Sequence, residues 1–240
     1  MTIAMILAAG RGERMRPLTD GTPKPLLRAG GRPLIVWQIE ALARAGFTDV
    51  VINVAHRGDL LMAALGDGTA FGVRIRWSRE REPLETAGGI ATAFPLLRPG
   101  PMLIVSGDIW TRFDYASLAA RIDAMAGDPA AARVHLVMVP NPPYHPEGDF
   151  ALRGGRLALA ADDRLTFGNI GVYDTALFAG LPRGVRLQML PLYRDWIGRG
   201  IASGECYEGP WANVGTPDDL RALDAMLAGS SGPASADAGT

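Results

Sequence analysis

The feature that most constrains the fold of this chain is an alternation that begins at its second residue. Short apolar runs are separated by segments in which apolar side chains recur at helical spacing. "TIAMILAA" (2–9), "DVVINVA" (Asp49–Ala55), "VRIRWS" (73–78) and "MLIVSGDI" (Met102–Ile109) read as strands. Between the first two lies "RPLIVWQIEALARAG" (32–46). Pro33 stands near its start, Ile35, Ile39, Leu42 and Ala43 recur at helical spacing, and Gly46 closes it. "DLLMAALG" (59–66) and "AGGIATAFPLL" (87–97) supply the next two helices. Strands alternating with helices predict an α/β fold with a parallel sheet covered on both faces. In such sheets ligands bind beyond the carboxyl ends of the strands.

The second half is less regular and makes the expected sheet mixed, though mainly parallel. "VHLVMVP" (134–140) and "LTFGNIGVY" (165–173) read as strands, and "FALRGGRLALA" (150–160) as a hairpin around Gly154-Gly155. "TPDDLRALDAMLAG" (216–229) reads as a helix with Thr216 as N-cap, Pro217 in its first turn and Asp219 completing a capping box. With no repeat and no linker, residues 1–228 are expected to form one domain, and the small, polar tail 229–240 to be disordered.

Composition excludes several classes. Formal net charge is −1, from 24 basic and 25 acidic residues, which leaves no electrostatic footprint for nucleic acid or an anionic membrane. Cys206 is the single cysteine, and His56, His135 and His145 are scattered, so neither a disulfide framework nor a zinc site is expected. The N-terminal apolar run lacks a basic flank and is too short to span a bilayer, so a cytoplasmic protein is expected. A monomer and a homodimer are equally compatible with the sequence.

The chemistry concentrates in "LAAGRGERMRPLTDGTPKPL" (Leu7–Leu26), which follows the first strand. It is not a dinucleotide fingerprint, because Met15 stands where the third glycine belongs, and it lacks the Gly-Lys-Ser/Thr of a P-loop. Gly10 and Gly12 nevertheless allow a sharp turn that brings backbone N–H groups close to a ligand. Arg14 offers a planar fork for phosphate oxygens and Lys24 a point charge, on a return path stiffened by Pro17, Pro23 and Pro25. Asp108, at the end of an apolar strand after Ser106 and Gly107, is placed for a magnesium ion or, alternatively, for capping a helix. Gly88-Gly89 suits close approach of a flat ligand or a plain loop-to-helix joint, and Asn169 interrupts an apolar run either to face outward or to meet a ligand.

"LAAGRGERMRPLT" followed by "PKPL" resembles the signature of the sugar-1-phosphate nucleotidyltransferases, over nearly the whole chain from Ile3 to about Leu227. "REPLETAGGI" (Arg81–Ile90), "GDIW" (Gly107–Trp110), "GDF" (Gly148–Phe150) and "WANVGT" (Trp211–Thr216) are most similar to the N-acetylmuramate-1-phosphate uridylyltransferases within that group. The resemblance implies a Rossmann-like nucleotidyltransferase fold and a reaction between UTP and N-acetylmuramate α-1-phosphate that releases pyrophosphate. It implies nucleotide contacts at Ala8, Gly10, Gly12, Glu13, Arg14, Lys24, Glu82, Gly88 and Ser106, and sugar-phosphate contacts at Asp149 and Asn169. Arg14, Lys24 and Asp108 would carry the chemistry, with Mg2+ on Asp108 and Asn213. Relatives have an acid where Asn213 stands. Another sugar-1-phosphate with another nucleotide, or a non-catalytic sugar-nucleotide sensor, would retain the same phosphate-handling residues.

Overall fold

The computed structural model describes residues 2–159 and 162–229. Its first half consists of β1 (Ile3–Leu7), β2 (Arg28–Ala29), β3 (Arg32–Pro33), α1 (Leu34–Arg44), β4 (Asp49–Val54) and α2 (Gly58–Leu65). There follow β5 (Arg74–Arg79), α3 (Glu85–Ala93), β6 (Pro101–Ser106), β7 (Ile109–Thr111) and α4 (Ala119–Gly127). The second half adds β8 (Val134–Val139), β9 (Phe150–Arg153), β10 (Arg156–Ala158) and the long β11 (Arg164–Asp174). It ends with α5 (Leu190–Gly198), β12 (Ala202–Cys206), β13 (Trp211–Asn213) and α6 (Pro217–Gly229). Gly229, expected in the tail, is the last residue of α6; the rest of that tail, 230–240, lies outside the described residues.

One sheet runs β5-β4-β1-β6-β11-β8-β12-β10-β9, with β9 also pairing with β11. β5, β4, β1 and β6 are mutually parallel, as strand–helix alternation requires. β11 then enters antiparallel between β6 and β8, and β12 returns parallel to β8. The period-two geometry of β1 divides its side chains between two cores. Ala4 and Ile6 pack with Ile35, Ile39 and Leu42 of α1 on one face, while Ile3 and Met5 pack with Ile90 of α3 and Trp196 of α5 on the other. Each fully buried Ile or Leu contributes roughly 1.5–3 kcal/mol of transfer free energy, so β1, flanked on both faces, is strongly anchored in the fold.

A smaller core sits at the sheet's carboxyl edge, where Met15, Leu34, Trp110, Val214 and Leu223 join the glycine-rich loop to β7 and α6. The apolar run expected as one strand over Met102–Ile109 is in fact broken. β6 stops at Ser106, Gly107 and Asp108 turn the chain, and Ile109 opens β7, which pairs with β13 in a separate two-stranded sheet. Trp110, edge-on to Trp37 with ring centroids 6.4 Å apart, is core and not a stacking platform.

Candidate active site

The register of the parallel strands places Leu7 beside both Asn53 and Ser106 at the sheet's carboxyl edge. Beyond this edge β1 runs into the glycine-rich loop. Ala8 N–H donates to Asn53 Oδ1 at 2.8 Å, and Gly107 N–H donates to Leu7 O at 2.9 Å. Gly12 lies in the left-handed region (φ 65°), and a Cβ there would stand 3.0 Å from both Lys24 Cβ and Thr19 Cγ2. Glycine is therefore needed for conformation and for space. Gly10 has no such constraint: nothing lies within 4 Å of where its Cβ would project. Glu13 and Arg14 form one tight helical turn directly after Gly12.

Lys24 is buried behind this loop, and its Nζ donates to Asp108 Oδ2 at 2.6 Å. Thr19 Oγ1 donates to Gly12 O at 2.9 Å, and Arg57 donates to Asp20 O and Gly21 O, so the return path of the loop is held at several points. Val214 N–H donates to Asp108 O at 3.0 Å and Asn213 pairs in register with Ile109, which brings the backbones of Asn213 and Asp108 close together. The Arg14 guanidinium passes over Gly215, with Nη1 3.6 Å from where a Cβ would stand. Asp219 secures this turn by accepting from Gly215 N–H, Thr216 N–H and Thr216 Oγ1, while its own N–H donates to Thr216 Oγ1, as the capping box predicts.

A cavity of about 350 Å³ opens between the loop and α3, with Gly10, Ser106 and Asp108 on one side and Glu80, Leu84 and Glu85 on the other. The resemblance implies nucleotide contacts at Glu82 and Gly88. Glu82 is exposed and does not line the cavity. Glu80, which went unnoticed, does: it is 8% exposed, Oε1 accepts from Asn53 Nδ2 at 2.7 Å and Oε2 from Leu84 N–H at 3.0 Å. Burial holds its carboxyl above the usual range, against those two hydrogen bonds. Gly88 is closely packed by protein: a Cβ there would stand 2.2 Å from Val185 O. Glu85 has a left-handed backbone (φ 62°), and its carboxylate pairs with Arg186 at 2.7 Å.

Asp149 and Asn169 line a second cavity of about 450 Å³, together with His145, Phe167, Trp211 and Asn213. Asn169 sits where the register between β11 and β8 shifts, with φ 59°, so the interruption in the apolar run is a bulge facing this cavity. The Tyr144 hydroxyl hydrogen-bonds the Asn213 side chain, and desolvation raises its pKa. His145, Tyr144 and Trp211 carried no catalytic spacing and could be found only through the fold.

The family model of the nucleotidyl transferases matches residues 3–144. The chain belongs to the nucleotidyl transferase family. It is 45% identical to an N-acetylmuramate alpha-1-phosphate uridylyltransferase of Neisseria meningitidis, over 93% of this chain and 97% of that one. It is 34% identical to the protein of the same name from Caulobacter vibrioides, over 94% and 97%. Among solved structures, a putative glucose-1-phosphate thymidylyltransferase from Bacillus anthracis superposes with TM-score 0.81 at 21% identity, covering 95% of both chains. An inositol-1-phosphate CTP transferase from T. maritima gives TM-score 0.76 at 18% identity, covering 98% of both. The Rossmann-like nucleotidyltransferase fold is thus common to chains of diverse sequence.

Proposed function

We propose that this nucleotidyl transferase joins UTP to N-acetylmuramate α-1-phosphate, giving UDP-N-acetylmuramate and pyrophosphate, as a cytoplasmic step of cell-wall recycling. The observation that carries the transfer chemistry is the Lys24–Asp108 pair, 2.6 Å apart beneath the glycine turn where β1 and β6 end. The end-to-end likeness to uridylyltransferases of that name supports the choice of substrates. No helix among the described residues is long and apolar enough to cross a membrane.

The donor set suits magnesium. Among the described residues no three His, Cys, Asp or Glu side chains form a cage for a metal ion. A hard cation that keeps most of its waters needs only one or two protein oxygens and completes its shell with substrate phosphates. The Asp108 carboxylate, with 31% of its side chain exposed, and the Asn213 amide oxygen would supply those ligands. When bound, Mg2+ neutralises triphosphate oxygens.

The protein's own groups orient and neutralise. Backbone N–H groups of Gly12 and Glu13, with the Arg14 fork, hold the pyrophosphate that will leave. Lys24 places a fixed ammonium where the α-phosphate and the incoming phosphate oxygen meet. That oxygen is already anionic, so no general base is required and catalysis is positioning and charge stabilisation of an in-line displacement. Ala8, Ser106 and the Glu80 edge of the cavity receive the nucleoside, and Asp149 and Asn169 form the acceptor's surroundings. Measuring pyrophosphate release over a grid of nucleoside triphosphates and sugar 1-phosphates tests the assignment. Fastest turnover with UTP and N-acetylmuramate α-1-phosphate is expected; preference for another pair would replace it.

A further inference from the structure

The wall of the second cavity holds a charge arrangement that phosphate transfer does not use. Segment 141–149, which links β8 to β9, is fixed from inside. Asn141 Nδ2 donates to Pro146 O and to Arg164 O, both at 2.9 Å, and Thr166 Oγ1 donates to Asn141 Oδ1 at 2.9 Å. Gly148, at φ 60°, packs so closely on Arg164 that a Cβ would stand 2.8 Å from its carbonyl. His145 and Asp149 therefore face the cavity on a rigid support.

Asp149 is largely committed within the protein. Its Oδ2 accepts from Phe167 N–H at 2.7 Å, and its Oδ1 lies 3.3 Å from His145 Nε2. A carboxylate so engaged has little left for a sugar hydroxyl, but it fixes the orientation of the ring. With Nε2 turned to Asp149, Nδ1 is the nitrogen left to meet a ligand. Of the described residues lining this cavity, His145 alone can carry positive charge.

We propose that His145 is the specificity-determining residue that recognises a carboxylate on the acceptor sugar, with Asp149 as its positioning residue, a role that rests on the acceptor assignment above. N-acetylmuramate carries such a carboxylate on its lactyl ether; N-acetylglucosamine lacks it. Without a basic side chain on this wall, Asp149 would repel the acidic acceptor, whereas His145 beside it can receive the acceptor's carboxylate.

The test measures KM for N-acetylmuramate 1-phosphate, N-acetylglucosamine 1-phosphate and UTP with wild type, His145→Gln, His145→Lys and Asp149→Asn. A charge-assisted hydrogen bond lost from His145→Gln should raise KM for the muramate acceptor about tenfold or more, with the glucosamine acceptor and UTP little affected. His145→Lys should recover part of that loss, and Asp149→Asn should shift the same KM in the same direction by less. A parallel rise for both acceptors, or no change for the muramate acceptor, overturns the role of His145. A wild type that turns over other acceptors but ignores N-acetylmuramate 1-phosphate overturns the acceptor assignment as well, so the two failures are distinguishable.

Discussion

Lys24 is an ammonium kept almost out of water, 8% exposed, with its Nζ 2.6 Å from Asp108 Oδ2. In the proposed role it is a fixed charge beside the reacting phosphates, the condition under which a charge contributes most to a transition state. Removing one such donor costs about 3 kcal/mol, so Lys24→Ala should lower turnover roughly a hundredfold or more. Its melting profile should stay cooperative; a near-normal kcat would remove Lys24 from the mechanism. Lys24→Arg should rescue poorly, because the stem is packed against the Gly12 turn, where a single extra carbon would already stand 3.0 Å away. Lys24 and Asp108 were legible in the sequence because one lies between two prolines and the other ends an apolar run. Glu80 was not. It follows a strand with ordinary charges, and only the fold reveals that Asn53 from the neighbouring strand and the Leu84 N–H converge on it.

At the scale of elements, three glycines separate packing from binding. Gly88→Ala drives a methyl to 2.2 Å from Val185 O and 3.1 Å from Leu187 N, both backbone atoms that cannot turn aside. Overpacking of this kind costs about 1–3 kcal/mol, read as a lower urea midpoint. Gly89→Ala would instead press on Asn53 Nδ2 and Glu80 Oε1, at 2.7 and 2.8 Å. Gly10→Ala meets nothing within 4 Å and should leave stability unchanged while raising KM for UTP, because its open space is where the nucleotide should lie. An unchanged KM would move the nucleotide away from Gly10. The parallel strands and their helices could be read in advance because doubly covered strands are apolar throughout. β12, "ASGEC", and β13, "WAN", could not: they are short and mixed, and they form because β8 and β7 offer them partners. The same pairing ended β6 earlier than its apolar pattern suggested, and so placed Asp108 in a turn.

Two couplings act on the whole molecule, one to protons and one to ligands. Burial raises the Glu80 carboxyl above its unfolded value, so the folded chain holds this proton more tightly. The contribution of Glu80 is therefore lost as pH rises through the window just above the usual carboxylate range. Glu80→Gln should flatten that part of the stability–pH curve, measured by urea denaturation across a pH series, and should lower stability throughout by about 1–3 kcal/mol because one donor loses its acceptor. An unaltered slope would show that Glu80 does not titrate there.

The second coupling follows from Asn213. In the proposed donor pair an amide at Asn213 would add no negative charge, so Asp108 would be its single carboxylate, and Lys24 already offsets it. Magnesium alone should then bind too weakly to shift the folding equilibrium, whereas the ion and UTP should bind together. A ligand that binds only the folded state stabilises it by about 2.7 kcal/mol at a hundred times its Kd. Wild-type melting temperature is accordingly expected to stay constant in millimolar Mg2+ and to rise by several degrees when UTP is added with it. Asn213→Asp, by supplying a second carboxylate, should make the melting temperature respond to Mg2+ alone and should lower the magnesium concentration for half-maximal rate. Asp108→Asn should abolish both turnover and the magnesium-dependent part of the UTP shift. If Asn213 only braces the turn into Gly215, its Asp variant will melt identically with and without Mg2+ and will keep the wild-type magnesium dependence. Calorimetric melts of the three proteins in four buffers, with and without Mg2+ and UTP, separate the binding outcomes without relying on activity.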